Sequence, residues 1–250
     1  MKGIILSGGA GTRLRPLTRV TSKQLLPIYN KPMIYYPLEK LINAGVKEIL
    51  IIVAPDHCGD YMKLLGSGKE FGVKFTYEIQ DKPEGLAQAF IIGEDFIDND
   101  NVTMILGDNI FEDEISDAIE AFSGGGLIFA KKVSDPKRYG VVAFDENMKA
   151  TKIVEKPQEW ISDYAIPGIY IFDHNVVEAA KAAKPSERGE IEITEIHNWY
   201  LNKDQLNIKI LEGAWFDAGT FESFMETSDF VYKLAQQGKE LGVKDPRDRK

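Results

Sequence analysis

Two short runs, "EILIIV" at residues 48–53 and "VTMIL" at 102–106, are apolar at nearly every position. A strand with one wet face alternates apolar and polar residues. A strand that is apolar on both sides is covered on both sides, as in a parallel sheet between two layers of helices. Candidate strands Gly3–Ser7, Glu48–Val53, Val73–Ile79 and Val102–Leu106 alternate with helix-like segments Met33–Ala44, Asp56–Leu65 and Glu84–Phe96. That order predicts an α/β fold of βαβ units with right-handed crossovers. Ligands of such sheets bind beyond the carboxyl ends of the strands. The segments there are "SGGAGTRLR", "QDKPEG" and "GDN".

The texture changes at residue 127. "LIFAKKV", "VVAF", "ATKIVEK" and "GIYIFD" follow one another without long helices, which predicts an antiparallel portion ending near the helix-like "EITEIHNWYL". A last strand, "LNIKIL", leads to "WFDAGT" and a helix from Phe221 to about Gly238; the tail 239–250 is expected to be solvated.

The apolar share of 44% over 250 residues is enough for a sizeable core. The single cysteine, Cys58, rules out an intrachain disulfide and fits a reducing, cytoplasmic setting. "IIL" is too short for the apolar core of a signal peptide, and no run approaches the ~20 apolar residues of a membrane span. A formal net charge of -9 argues against a nucleic-acid partner. It leaves room for a small anion, because a local cationic cluster dominates within about 8 Å.

Such a cluster follows the first strand. "LSGGAGTRLRPLT" packs Gly8, Gly9 and Gly11 against Arg13 and Arg15, with Lys23 shortly after. A dinucleotide fingerprint needs a third glycine where Leu14 stands, and a Walker loop needs Lys where Thr12-Arg13 stand. The remaining readings are a tight turn with exposed arginines and a phosphate-binding turn built from backbone N–H groups and Arg13; Arg15 and Lys23 favour the second.

"LSGGAGTRLRPLT" followed by "SKQLLPIYNKPMIYYPL" resembles the signature of the sugar-nucleotide pyrophosphorylases, a nucleotidyltransferase family, and Ser22-Lys23-Gln24 resembles their thymidylyl branch. The resemblance runs from residue 1 to about 235 and implies a Rossmann-like, mostly parallel central sheet with helices on both faces, plus an antiparallel sugar-binding portion. One domain over 1–250 is expected, with a nucleotide-binding half at about 1–126, a sugar-phosphate half at about 127–220 and a helix at 221–238.

The resemblance also assigns residues. Gly8, Gly9, Gly11, Thr12, Arg13 and Lys23 would meet a triphosphate, and Gln80, Pro83 and Gly85 in "EIQDKPEG" would meet the base. A glutamine amide both donates and accepts, as the thymine or uracil edge requires. Asp108 in "GDN" and Asp217 in "WFD" would hold Mg²⁺ with the nucleotide phosphates; magnesium needs few carboxylates when phosphate oxygens and waters complete its shell. Leu86, Asn109, Tyr139, Gly140, Glu155, Lys156, Ile166, Tyr170 and Arg188 would form the sugar-phosphate pocket. Taken singly, these residues read better as an exposed strand-end amide, turns, surface ion pairs or core tyrosines. Glu155 and Lys156 are adjacent, so a continuing strand would point them to opposite faces.

The implied reaction is attack of glucose 1-phosphate on the α-phosphorus of dTTP, with Arg13, Lys23 and Asp108 as the catalytic set. A phosphate monoester with its second pKa near ~6 is already largely dianionic at neutral pH and needs no general base. His57, His174 and His197 lie outside the matched motifs and read as surface or satisfied core residues. A UTP-using enzyme remains open, since one methyl group gives only ~1–3 kcal/mol of discrimination. So does a non-catalytic nucleotide-sugar binder. Pro167 stands where the family commonly has threonine and removes one N–H donor beside the pocket. The chain ends soon after the Phe221 helix, whereas many family members continue into subunit-packing helices and an allosteric site. Weak feedback inhibition is the expectation, with a homo-oligomer left open.

Overall fold

The computed structural model of the protein describes residues 1–186 and 189–248. The first half carries β1 (Lys2–Ser7), a short hairpin of β2 (Pro27–Ile28) and β3 (Lys31–Pro32), β4 (Glu48–Val53), β5 (Lys74–Ile79), β6 (Val102–Leu106) and β7 (Asn109–Phe111). The second carries β8 (Gly126–Lys132), β9 (Gly140–Phe144), β10 (Ala150–Glu155), β11 (Tyr164–Ala165), β12 (Ile169–Phe172), β13 (Leu206–Ile210) and β14 (Trp215–Asp217). The helices are α1 (Tyr35–Asn43), α2 (Cys58–Leu65), α3 (Gln88–Ile92), α4 (Glu94–Ile97), α5 (Ser116–Glu120), α6 (Val176–Ala182), α7 (Ile193–Leu201) and α8 (Phe221–Gln236).

One sheet runs through both halves in the order β10-β9-β11-β8-β12-β6-β1-β4-β5. β1 pairs in parallel with β4 and β6, and β4 with β5. The continuous apolar runs have the cause expected of them. Ile4, Leu6, Leu50, Ile52 and Met104 enter the core on one face, beneath α3, α6 and α7. Ile5, Ile49, Ile51, Val53 and Ile105 enter the core on the other, beneath α1 and α2. Alternate residues therefore bury into two separate helix layers.

The boundary at residue 127 is less sharp than the sequence predicts. β12 is antiparallel to β6 and joins the two halves into one sheet. β13 returns parallel to β8, so the second half is mixed rather than wholly antiparallel. The helix expected over Glu84–Phe96 is broken into α3 and α4, with Gly85 at φ 111° ahead of it and Gly93 between the two pieces. A Cβ at Gly85 would run into the Ile191 backbone, which lies against this turn. The tail is also more ordered than expected. Lys31 Nζ donates to the carbonyls of Leu241 (2.8 Å) and Gly242 (2.6 Å), and the Tyr35 hydroxyl donates to Asp245 (2.7 Å). No helix of the described residues is long and apolar enough to cross a membrane.

Candidate active site

β1, β5 and β6 end side by side, because Leu6 pairs with Leu106, Ser7 with Val53, and Val53 with Ile79. The glycine-rich turn, Gln80 and Asp108 are thereby delivered to one edge of the sheet. Two cavities open there. One, of about 330 Å³, is lined by Gly9, Arg13, Lys23, Gln80, Pro83 and Gly85, together with Leu86 and Asp108. The other, of about 300 Å³, is lined by Asn109, Tyr139, Gly140, Glu155, Lys156, Ile166 and Tyr170, together with Asp217. They meet at Arg13, Leu86, Leu106, Asp108 and Glu190, which border both. A wider outer groove adjoins the first cavity at Gly9, Gln80 and Pro83 and adds Gly8, Arg15 and Arg19.

The two groups of predicted residues thus fall into two adjoining spaces. Gly11 and Thr12 line none of the three: they form the turn, where the Thr18 hydroxyl donates to the Gly11 carbonyl at 2.7 Å. Arg188 lies outside the described residues.

Gln80 is only 3% exposed. Its Nε2 donates to Gln88 Oε1 at 2.6 Å, and its Oε1 lies so close to Gly8 that any Cβ there would collide with it. The glycine therefore permits contact between the glycine-rich turn and the residue that follows β5. Asn109 borders the cavity, but its amide is engaged within the protein. Its Oδ1 accepts from Gly168 N (2.9 Å) and Trp215 Nε1 (2.7 Å), and its Nδ2 donates to Asp108 Oδ1 (3.0 Å). Asn109 thus ties β7 to the residue just before β12, to β14 and to the Asp108 carboxylate. The missing N–H of Pro167 leaves its neighbours paired: Ile166 N donates to Gly140 O and Gly168 N to Asn109.

Glu155 and Lys156 resolve their apparent conflict through the backbone. β10 ends at Glu155, and Lys156 adopts φ 42°. This left-handed turn brings both side chains to the same cavity, with Lys156 Nζ 3.2 Å from Glu155 Oε1. A non-glycine residue at such φ is strained and needs support from its surroundings.

Asp108 and Asp217 are brought together by the β7–β14 ladder, in which Asp217 pairs with Asn109, and by the hydrogen bond from Ala218 N to Asp108 O at 3.0 Å. Lys23, 8% exposed, pairs directly with Asp108. Burial alone would raise the Asp108 carboxyl, but the Lys23 ammonium and hydrogen bonds from Lys23 and Asn109 hold it below the usual carboxylate range. Asp217 goes the other way. Burial and then the neighbouring Asp108 charge push it up to about 6, against the opposing pull of Lys23 and Arg13. Two hard oxygen donors border one cavity, near enough for the Asp108 charge to raise Asp217. That donor set fits a small divalent cation that also takes phosphate oxygens and waters. No cluster of three or more His, Cys, Asp or Glu side chains suited to a metal occurs among the described residues.

Several lining residues escape the sequence reading. Trp215 stands two positions before Asp217 on β14, hence on the same face, and packs edge-on to Tyr139 with ring centroids 5.0 Å apart. Thr194 and His197 are three apart on α7, a spacing that shares a helix face. Those periodicities were available as signals. Glu190 and Glu192 flank a loop with no periodicity to give them away. His197 overturns its expected reading as a satisfied core histidine: it is wholly buried, and neither ring nitrogen has a hydrogen-bond partner among the described residues.

Comparison with known proteins places these features in a family. The sequence profile of the family described as nucleotidyl transferase matches residues 2–233. The chain is 51% identical to a glucose-1-phosphate thymidylyltransferase of Neisseria meningitidis serogroup A, over 92% of this chain and 82% of the relative. It is 49% identical to one of Mycolicibacterium smegmatis, over 97% and 86% respectively. Among solved structures, a Bacillus anthracis protein described as a glucose-1-phosphate thymidylyltransferase, crystallised with sucrose, superposes with a TM-score of 0.88 at 47% identity, covering 92% of this chain and 94% of that one. A UDP-glucose pyrophosphorylase at 24% identity shares the fold, with a TM-score of 0.82.

Proposed function

Because the chain belongs to the nucleotidyl transferase family, we propose that its two adjoining cavities bring dTTP and glucose 1-phosphate together and that it makes dTDP-glucose with release of pyrophosphate. The observation that carries this reading is the junction of the cavities at Arg13 and Asp108. A reaction between two phosphates needs the acceptor of one space to reach the phosphorus of the other, and cations where they meet.

In this reading the half before residue 127 holds the nucleotide and the half after it holds the sugar phosphate. Gln80 and the backbone at Gly85 read the pyrimidine edge. The turn from Gly8 to Arg13 approaches the triphosphate, with Arg13 beside the leaving pyrophosphate. Glu155 accepts hydrogen bonds from sugar hydroxyls, while Lys156 meets the sugar phosphate; Arg188 is assigned the same partner from its place in "SERGE". Asp108 and Asp217 would hold Mg²⁺. When bound, Mg²⁺ supplies positive charge to the nucleotide phosphates and lowers the repulsion between two polyanions. Lys23 orients Asp108 through their ion pair and adds charge near the reacting phosphate. The sugar phosphate, already dianionic, attacks the α-phosphorus in line, and no side chain has to remove a proton.

The test is pyrophosphate release across a panel of nucleoside triphosphates and sugar 1-phosphates. The expected result is highest kcat/KM for dTTP with glucose 1-phosphate, and a UTP rate lower by a factor of ~10–100, the worth of one methyl group. Preference for a purine triphosphate would defeat the assignment of Gln80.

A further inference from the structure

His197 is a buried titratable group at the site to which the reaction above gives no work. It lies on α7, is 0% exposed, and lines the same cavity as Glu155, Ile166 and Tyr170. Its ring packs against two aromatic neighbours on β12, tilted to Tyr170 at 5.1 Å and stacked on Phe172 at 6.0 Å between centroids. Neither Nδ1 nor Nε2 has a hydrogen-bond partner among the described residues. Buried polar atoms are ordinarily paired, and a group left unpaired calls for an explanation. Packing does not provide one: a phenylalanine would fill the aromatic slot and strand no nitrogen. Burial holds the ring neutral, with its pKa lowered to about 3. A neutral imidazole offers one N–H donor and one acceptor, the complement of a sugar hydroxyl.

We propose that His197 is a specificity-determining residue of the sugar cavity, hydrogen-bonding one hydroxyl of the hexose 1-phosphate and so distinguishing it from analogues that lack this hydroxyl. This rests on the functional reading above. It adds a neutral partner to a cavity whose other polar side chains include the charged Glu155, Glu190 and Lys156. It also gives a buried polar ring a ligand that is itself polar and shielded from water when bound.

The experiment compares glucose 1-phosphate with its 2-, 3-, 4- and 6-deoxy analogues in the wild-type protein and in His197→Phe. The substitution keeps an aromatic ring and removes both nitrogens. kcat/KM for glucose 1-phosphate should fall roughly tenfold, the effect of one neutral hydrogen bond. For one deoxy analogue it should not fall, so discrimination against that analogue collapses while discrimination against the other three persists. The KM for dTTP should stay put. His197→Asn, which keeps a donor and an acceptor, should recover part of the lost discrimination. If the phenylalanine variant does not fold, His197→Leu and His197→Asn carry the same comparison. Unchanged ratios for all four analogues, or an equal fall in all of them, overturn the proposal. A wild-type protein that forms no nucleotide sugar overturns the functional reading and this inference with it; an active wild type with unchanged ratios overturns this inference alone.

Discussion

Lys23 is proposed to serve fold and chemistry together. From sequence, it faces a triphosphate, and Lys23→Ala should cost activity and little else. In the structure it is buried and paired with Asp108. Removing one member of a buried pair leaves the other uncompensated, a loss of about 3–5 kcal/mol. Lys23→Ala should therefore lose both stability and turnover, whereas Lys23→Met combined with Asp108→Asn should regain stability in urea unfolding and stay inactive. Asp217 carries the opposite sign. Its carboxyl, raised to about 6 in the fold, binds more protons there than in the unfolded chain, so it lowers stability as pH rises from about 4 to above 6. In metal-free protein at pH 7.5, Asp217→Asn should be more stable than wild type by ~1–3 kcal/mol. That advantage should vanish near pH 4, and the variant should need more Mg²⁺ for half-maximal rate. His197 works in the acid direction. Its depressed pKa means that the unfolded chain takes up a proton that the fold refuses, so stability falls as pH drops from about 6.5 toward 3. His197→Phe should flatten that limb of the stability–pH curve, which thermal unfolding across pH would record.

Strand ends decide what the site contains. β1 and β6 were legible because their residues bury on both faces, and the motifs after them came into place with the strands; β5, at the edge of the sheet, buries far less. Less legible was whatever depended on a single backbone angle. Nothing in "VEKP" announces that Lys156 turns left-handed, yet this turn lets Glu155 and Lys156 share a cavity. Lys156→Gly should keep the turn with no loss of stability while raising the KM for glucose 1-phosphate at least tenfold. Lys156→Ala should keep the strain, cost ~1 kcal/mol more than the glycine variant, and raise KM equally. Calorimetric unfolding beside steady-state kinetics separates the two effects. The split between α3 and α4 escaped notice for a related reason. The apolar pattern of residues 86–97 is helical throughout, but the contact of Gly85 with Ile191, more than a hundred residues away, delays the start of the helix, and the break itself falls at Gly93.

At the scale of the molecule, the sheet is continuous through β12 and β8, so the two cavities are walls of one framework rather than faces of two hinged bodies. Long-range pairing of this kind has no local sequence signal, and a change of texture at residue 127 reads as a boundary when it marks only a change of strand direction. The alignment of the cavities is the premise of the proposed reaction, and isotope tracing tests it directly. Glucose 1-phosphate carrying ¹⁸O in all its non-bridging phosphate oxygens is incubated with dTTP and Mg²⁺, and the products are weighed by mass spectrometry. Attack by the sugar phosphate on the α-phosphorus predicts one pyrophosphate per dTDP-glucose, every label retained in the nucleotide sugar and none in pyrophosphate. Release of pyrophosphate without labelled dTDP-glucose would contradict it.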